Sequence, residues 1–218
     1  MRPDGADPEP RFDAGFRAAF RDLLVWRRDV RRFRPDPLPD GTLERLVGLA
    51  CLAPSVGLSE PWRFVRVDDP TARAAIRVSF ERCNAEALAL QVGERAALYA
   101  RLKLAGLDEA PCHVAVFADR DTGQGHGLGR LTVPATLEYS AAMAVHTLWL
   151  AARAEGIGLG WVSILDPEAV VAALDVPPGW AFIGYFCMGL PAAPDSVPTL
   201  AREGWEVRRD PASFILLR

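Results

Sequence analysis

The sequence predicts an α/β or α+β fold in a single domain. Three observations carry this. Segments of strand character alternate with segments of helical character without long breaks, and no internal repeat interrupts the order. Half of the 218 residues are hydrophobic, enough to fill a core. The alternation alone leaves the strand order open.

Residues 1–12 are rich in Pro and charge and read as a flexible arm, leaving 13–218 as the domain. From Asp13, a residue type that caps helices, Phe16, Phe20, Leu23 and Leu24 recur at helical spacing. An arginine-rich run and then Pro35, Pro37 and Pro39 end that helix. A second helix is expected from about Gly41, capped by Asp40, with Leu43, Leu46, Val47, Ala50 and Cys51 on one stripe and Pro54 as its stop. Residues 62–67 read as a short strand closed by Asp68, Asp69 and Pro70. Residues 71–107 read as helical with a break near Gly93, and 112–118 as a buried strand. The glycine-rich, polar stretch 119–133 is expected to be a loop, long enough to carry function. The helix expected over 134–155 is apolar nearly all round, which implies a central position or a subunit interface. A glycine-punctuated strand (156–164), a short helix (168–174), a strand (180–188) and a Pro-rich tail complete the order.

Composition excludes several classes. A formal net charge of −3 gives no global basic field, so no nucleic-acid partner is expected. Cys51, Cys83, Cys112 and Cys187 are isolated, without a CxxC pair or a histidine cluster, and read as reduced thiols rather than disulfides or metal ligands. The longest apolar stretch, 140–152, is interrupted by His146 and is too short to span a bilayer. With no basic-then-apolar leader, a cytoplasmic protein without membrane contact is expected.

The chemistry concentrates in Arg27-Arg28-Asp29-Val30-Arg31-Arg32-Phe33. Four arginines in six positions suit a phosphate, because guanidinium forks match its oxygens with paired charge-assisted hydrogen bonds. The alternative is a solvated charged turn. A carboxylate beside a bound phosphate is repelled, so Asp29 either holds the arginines or acts on the ligand. In the turn 53–62, Ser55 either stabilises the turn or offers a hydroxyl to a ligand. Gly156, Gly158 and Gly160 alternate but do not open a helix, which rules out a dinucleotide fingerprint. A glycine-lined strand that admits a flat ligand is the remaining functional reading. His113 and His146 read as core or interface residues; His126, in the long loop, is undecided.

Taken in order, these pieces resemble the nitroreductase-like flavoproteins: an Arg-Arg-x-x-Arg-x-Phe run, an Ala-Pro-Ser turn leading to Pro-Trp-x-Phe, and a glycine-rich strand after a long helix. The likeness is closer to one branch, the 5,6-dimethylbenzimidazole synthases (BluB family). It is carried by residues 27–33, 52–59 (Leu-Ala-Pro-Ser-Val-Gly-Leu-Ser), 99–107 (Tyr-Ala-Arg-Leu-Lys-Leu-Ala-Gly-Leu), 125–130 (Gly-His-Gly-Leu-Gly-Arg) and 160–167 (Gly-Trp-Val-Ser-Ile-Leu-Asp-Pro). The resemblance spans about 16–210. Val133 and Ala135 depart from the branch's Thr-Met-Pro-Glu run, and Glu60 stands where Gln precedes Pro-Trp.

The resemblance implies a three-layer α+β sandwich with a mixed central sheet flanked by helices, in an intertwined homodimer with flavin sites at the subunit boundary. It implies FMN, with reduced FMN as substrate and molecular oxygen as co-substrate. The isoalloxazine and ribityl parts are fragmented and recombined into the lower-ligand base of cobalamin and a four-carbon sugar phosphate. NAD(P)H enters only indirectly, through a separate flavin reductase. Carried over position by position, Arg27, Arg28 and Arg31 would bind the phosphate and the electron-rich end of the ring, with backbone at Val30 assisting. Ser55 would bind the flavin, and the segment containing Leu104 would cover the oxygen-facing side within a lid over about 81–107. Asp29 would be the catalytic acid or base, or would polarise the ribityl chain, and Ser163 would sit over the reacting end of the ring. The alternative on the same fold is an NAD(P)H-dependent nitroreductase or flavin reductase, which commonly has Ser at the Asp29 position. A flavin storage or sensing module is the non-enzymatic alternative, and it needs neither the carboxylate nor a lid.

Overall fold

The computed structural model describes residues 10–218; the arm expected over 1–12 lies mostly outside them. Eleven helices and strands follow in chain order: α1 (Ala14–Trp26), α2 (Thr42–Ala50), β1 (Trp62–Arg66), α3 (Pro70–Ala89), α4 (Gly93–Arg101), β2 (Cys112–Asp119), α5 (Thr136–Ala154), β3 (Gly158–Val162), α6 (Pro167–Leu174), β4 (Trp180–Gly189) and α7 (Thr199–Arg202). The sheet order is β1-β2-β4-β3, and all three pairings are antiparallel. The mixed sheet implied by the resemblance is therefore corrected. The parallel neighbour is a single bridge between Asp29 and Leu159, not a strand.

The period-two alternation of the strands sorts the core into two layers. Val114, Val116, Leu159, Phe186 and Met188 face α2 and α5, where Leu46, Ala50, Val145 and Leu148 meet them. Ala115, Phe117, Val162, Tyr185 and Cys187 face the other way, toward Ala72 and Ile76 of α3 and Val170 of α6. Helices on both faces give the three-layer α+β sandwich.

Asp13 caps α1 by accepting the Phe16 N–H at 2.7 Å. Asp69 and Asp166 cap α3 and α6, each followed by Pro in the first turn. The Asp40 cap is a correction: the N-cap of α2 is Gly41, in the left-handed region at φ 75°, with no side-chain capping bond. The helical stretch of 71–107 breaks at 90–92, and 102–111 is irregular, so no helix boundary falls at 81.

The loop 119–133 contains a 3-10 turn at Gln124–Gly127 and docks on the 53–62 turn. Gln124 Nε2 donates to the Leu58 carbonyl at 2.7 Å and to Glu60 at 2.9 Å. Glu60 thus has a partner of its own where the family pattern has Gln.

α1 buries none of its residues, and Phe16, Phe20 and Leu24 stay exposed. On α5, Tyr139, Met143 and His146 form an exposed stripe. The helix expected to be apolar nearly all round, in a central position or at a subunit interface, is buried on its sheet side within one chain. Of the thiols, Cys187 is buried and the other three are half-buried, all free. Among the described residues no helix is long and apolar enough to cross a membrane.

Candidate functional site

β3 is an edge strand, and the arginine run closes its open side. Val30 N–H donates to the Leu159 carbonyl at 3.1 Å. Further on, Arg34 N–H donates to Leu190 O at 2.8 Å and Ala192 N–H to Arg32 O at 3.0 Å. The glycines of the 156–164 stretch explain this approach. A Cβ on Gly160 would lie 2.0 Å from the Val30 carbonyl oxygen, and one on Gly158 2.8 Å from the Val30 side chain. What nears the strand at Gly158 and Gly160 is the chain's own arginine run.

Asp29 is committed through both oxygens. Oδ1 accepts the Trp161 backbone N–H at 2.8 Å, and Oδ2 pairs with Arg31 at 2.9 Å. Arg31 also donates from Nη1 to the Lys103 carbonyl at 3.1 Å, which ties the run to the segment after α4. Of the two sequence alternatives for Asp29, holding an arginine is visible in the fold.

Trp149 of α5 fixes the start of the run. Its Nε1 donates to the Arg28 carbonyl at 3.1 Å, and the Arg27 guanidinium lies 4.9 Å from its ring centroid. Burial, then Arg208, hold the Arg27 pKa below its ordinary value, against the opposite pull of Asp29. Burial, then Arg27 and Arg208, lower Arg28 in the same way, and Asp195 opposes them. Arg28 Nε is buried without a hydrogen-bond partner among the described residues. Neighbouring cations that lower one another's pKa are an arrangement an anion relieves.

Arg28, Asp29, Arg31 and Trp149 border a cavity of about 320 Å³. Arg28, Arg31, Arg32, Lys103, Arg153 and Arg202 line it against two carboxylates, Asp29 and Asp195, while Trp26, Trp149 and the stretch 191–194 supply apolar wall. Asp29 is paired with Arg31 and Asp195 with Arg202, so the wall keeps an excess of positive charge. The cavity suits an anionic group carried on an organic body.

Of the sequence-predicted residues, the structure gathers Arg28, Asp29, Val30 and Arg31 in this wall, with Arg27 behind it on Trp149. Three lie elsewhere. Ser55 accepts the Glu60 N–H at 3.2 Å in its own turn. Leu104 lines a second cavity of about 190 Å³ under α3. Ser163 is exposed, one residue past β3. Sequence reasoning missed Trp149, Arg153, Arg202 and Arg208, because a single Arg or Trp on a helix or tail has no local signature. The Arg-rich end of the chain, Arg208-Arg209, is the signal that was there to read.

The model of the nitroreductase family matches residues 24–190. The 5,6-dimethylbenzimidazole synthase of Rhodospirillum rubrum is 58% identical over 200 residues, covering 92% of this chain and 95% of that protein. The 5,6-dimethylbenzimidazole synthase of Rhodobacter capsulatus is 50% identical, covering 89% and 94%. Among solved structures, oxidized iodotyrosine deiodinase bound to FMN and 3-iodo-L-tyrosine superposes with a TM-score of 0.70 at 24% identity, over 91% of this chain and 97% of that one. At that identity the superposition speaks for the fold alone.

Proposed function

The chain belongs to the nitroreductase family, and from that premise we propose that it acts as a 5,6-dimethylbenzimidazole synthase, fragmenting reduced FMN with molecular oxygen. Identity of 58% to the R. rubrum synthase, over nearly the whole of both chains, supports the activity. The observation from the structure that carries the flavin assignment is the cationic cavity with its buried Arg28 Nε, which has no partner among the described residues.

The residues present fit FMN. Arg27, Arg28 and Arg31, with Arg208, would hold its phosphate, and the Val30 backbone and Trp149 would border the rest. Bound FMN supplies the oxygen-reactive ring. Asp29 keeps Arg31 aimed and places a carboxylate where a proton can be taken or given. Ser163 offers an exposed hydroxyl, and Ser55 and Leu104 offer contacts outside the cationic cavity.

One copy of the chain does not bring these last three residues into the cationic cavity. A homodimer combines segments from two copies at one flavin site and covers the apolar stripes of α1 and α5 together with Phe214, Ile215, Leu216 and Leu217, which are exposed in the single chain. Light scattering at micromolar concentration checks this, and a monomer refutes it. Reduced FMN comes from a separate flavin reductase that uses NAD(P)H. The lid comprises the end of α3, α4 and the segment reaching Leu107.

The deciding experiment mixes the protein with reduced FMN in air and follows the flavin. Its loss with appearance of 5,6-dimethylbenzimidazole is the expected result. Clean reoxidation to intact FMN supports instead a nitroreductase or flavin reductase.

A further inference from the structure

The segment between α4 and β2 is fastened to the arginine run by a closed circuit of contacts. Arg31 Nη1 donates to the Lys103 carbonyl at 3.1 Å. The Lys103 ammonium pairs with Glu109 Oε1 at 2.9 Å. Glu109 Oε2 then accepts the Phe33 N–H at 3.2 Å, two residues beyond Arg31. The Phe33 ring is buried and packs against Gly106, 2.4 Å from where a Cβ there would lie.

Lys103 lines both cavities. On its far side, Leu102 and Leu104 form the wall of the second cavity opposite Phe80 and Asn84. Asn84 accepts the Tyr99 hydroxyl at 2.9 Å, so the end of α4 sits against α3 at the same place. Burial raises the Glu109 pKa, but the Lys103 ammonium, the Phe33 N–H and Arg32 outweigh it, and the carboxyl sits below its ordinary value. It is therefore charged at neutral pH and able to hold Lys103.

We propose that Glu109 is a positioning residue that makes the placement of residues 99–106 depend on an anion held by Arg31. The inference rests on the reading that the arginine run holds the FMN phosphate, and it deepens that reading into a specificity device. An anion that fixes Arg31 fixes the Lys103 carbonyl, and Glu109 returns the restraint to Phe33. Riboflavin, lacking the phosphate, adds no restraint at Arg31 to the contacts already present, so the wall over the ring is tightened by FMN and not by riboflavin. Closure conditional on the phosphate keeps water away from reactive flavin only when the correct substrate is bound.

The test is hydrogen exchange on the full chain with FMN, riboflavin and inorganic phosphate in separate arms. In the wild-type protein, FMN and inorganic phosphate slow exchange of 27–33 and of 99–106 together by at least about threefold, and riboflavin leaves 99–106 unchanged. Glu109→Gln keeps an oxygen for the Phe33 N–H and removes the ion pair. Its FMN Kd stays within about threefold of wild type, while ligand protection of 99–106 is lost. Lys103→Arg in the otherwise wild-type protein retains the charge pair with Glu109 and keeps the protection. Equal protection of 99–106 in Glu109→Gln and wild type overturns the proposal. So does faster exchange throughout the sheet of both Glu109→Gln and a second variant, Lys103→Met, without ligand, since the pair is then a structural brace. If FMN fails to protect 27–33 of the wild-type protein, the flavin reading falls, and the phosphate arm decides the coupling by itself. If phosphate also leaves 27–33 unprotected, the coupling falls too.

Discussion

Asp29 Oδ1 accepts the Trp161 backbone N–H at 2.8 Å, so a side-chain carboxylate takes the bond that a further strand would take at the open edge of β3. The same carboxylate pairs with Arg31 through its other oxygen. Asparagine retains an oxygen for Trp161 and loses the charge. Asp29→Asn should therefore lower stability by only about 1 kcal/mol, hold FMN within about threefold of the wild-type Kd, and reduce benzimidazole yield at least about a hundredfold, the scale of a lost acid or base. Flavin affinity by fluorescence quenching and yield by chromatography check both halves. A near-normal yield would make Asp29 a strut for Arg31 and nothing more.

Gly160 is the position where the fold admits the arginine run. A Cβ there would lie 2.0 Å from the Val30 carbonyl oxygen, which is backbone and has little freedom to yield. Gly160→Ala should push the run off β3 and cost about 1–3 kcal/mol of stability, as overpacking does. FMN affinity should fall at least about tenfold while far-ultraviolet circular dichroism keeps the native shape, because the four strands pair without the run. Unchanged affinity would show that the run binds FMN without support from β3.

Arg31 is the most buried member of the pair it forms with Asp29, and it reaches into the cavity wall. Removing a charge-assisted partner of a phosphate at such a site costs roughly 2 kcal/mol, about thirtyfold in Kd. Arg31→Ala should show that loss with FMN and almost none with riboflavin. Equal losses with both ligands would remove the phosphate from Arg31.

What was legible in the sequence was local. The runs 112–118 and 180–188 are apolar at nearly every position, as strands buried on both faces are. The sheet then sorts Val116 from Phe117 and Tyr185 from Phe186 to opposite faces, so these strands were readable from length and composition rather than from period. The cap at Asp13 was readable because its partner, the Phe16 N–H, is three residues away. The Asp40 cap failed because Gly41 turns the chain with a positive φ before the helix begins. The arginine run announced itself by charge density, and the five motifs in order pointed to the family. The helpers were hidden. Trp149 meets Arg28 across 121 residues and Glu109 meets Phe33 across 76, and such contacts leave no pattern along the chain. The glycines of β3 were visible, but their occupant was not, because only the folded sheet brings Val30 to Gly160.

His113 predicts a pH dependence of stability. Its Nδ1 lies 2.8 Å from the Tyr185 hydroxyl in the core, and burial, then the charge of Arg73, lower its pKa from 6.5 to about 4. The folded value lies below the unfolded one, so the unfolded chain takes up the proton first. The stability is complete above about pH 6.5 and is lost as pH falls toward 4. Between pH 7 and pH 5 the loss should be about 2 kcal/mol. Urea unfolding at the two pH values measures it, and His113→Gln should flatten the slope in that window. A wild-type stability that is level from pH 7 to 5 would mean that His113 becomes charged without unfolding.

Ser163 separates chemistry from structure most cleanly. It is exposed and stands one residue beyond the end of β3, so its hydroxyl supports nothing in the core. Its removal should change stability by no more than about 0.5 kcal/mol, as for other exposed positions. It lies outside the cationic cavity, so the phosphate contacts proposed for Arg27, Arg28 and Arg31 should survive its loss. One hydroxyl is enough to direct a proton or orient a reacting oxygen, and too little to anchor a flavin. Ser163→Gly should then bind FMN within about twofold of wild type, melt at nearly the same temperature, and let reduced flavin return to intact FMN without forming benzimidazole. Thermal unfolding, flavin titration and product analysis on the same preparation read the three outcomes together. Benzimidazole formed at the wild-type rate would take Ser163 out of the chemistry, and a large fall in FMN affinity would make it a binding residue instead.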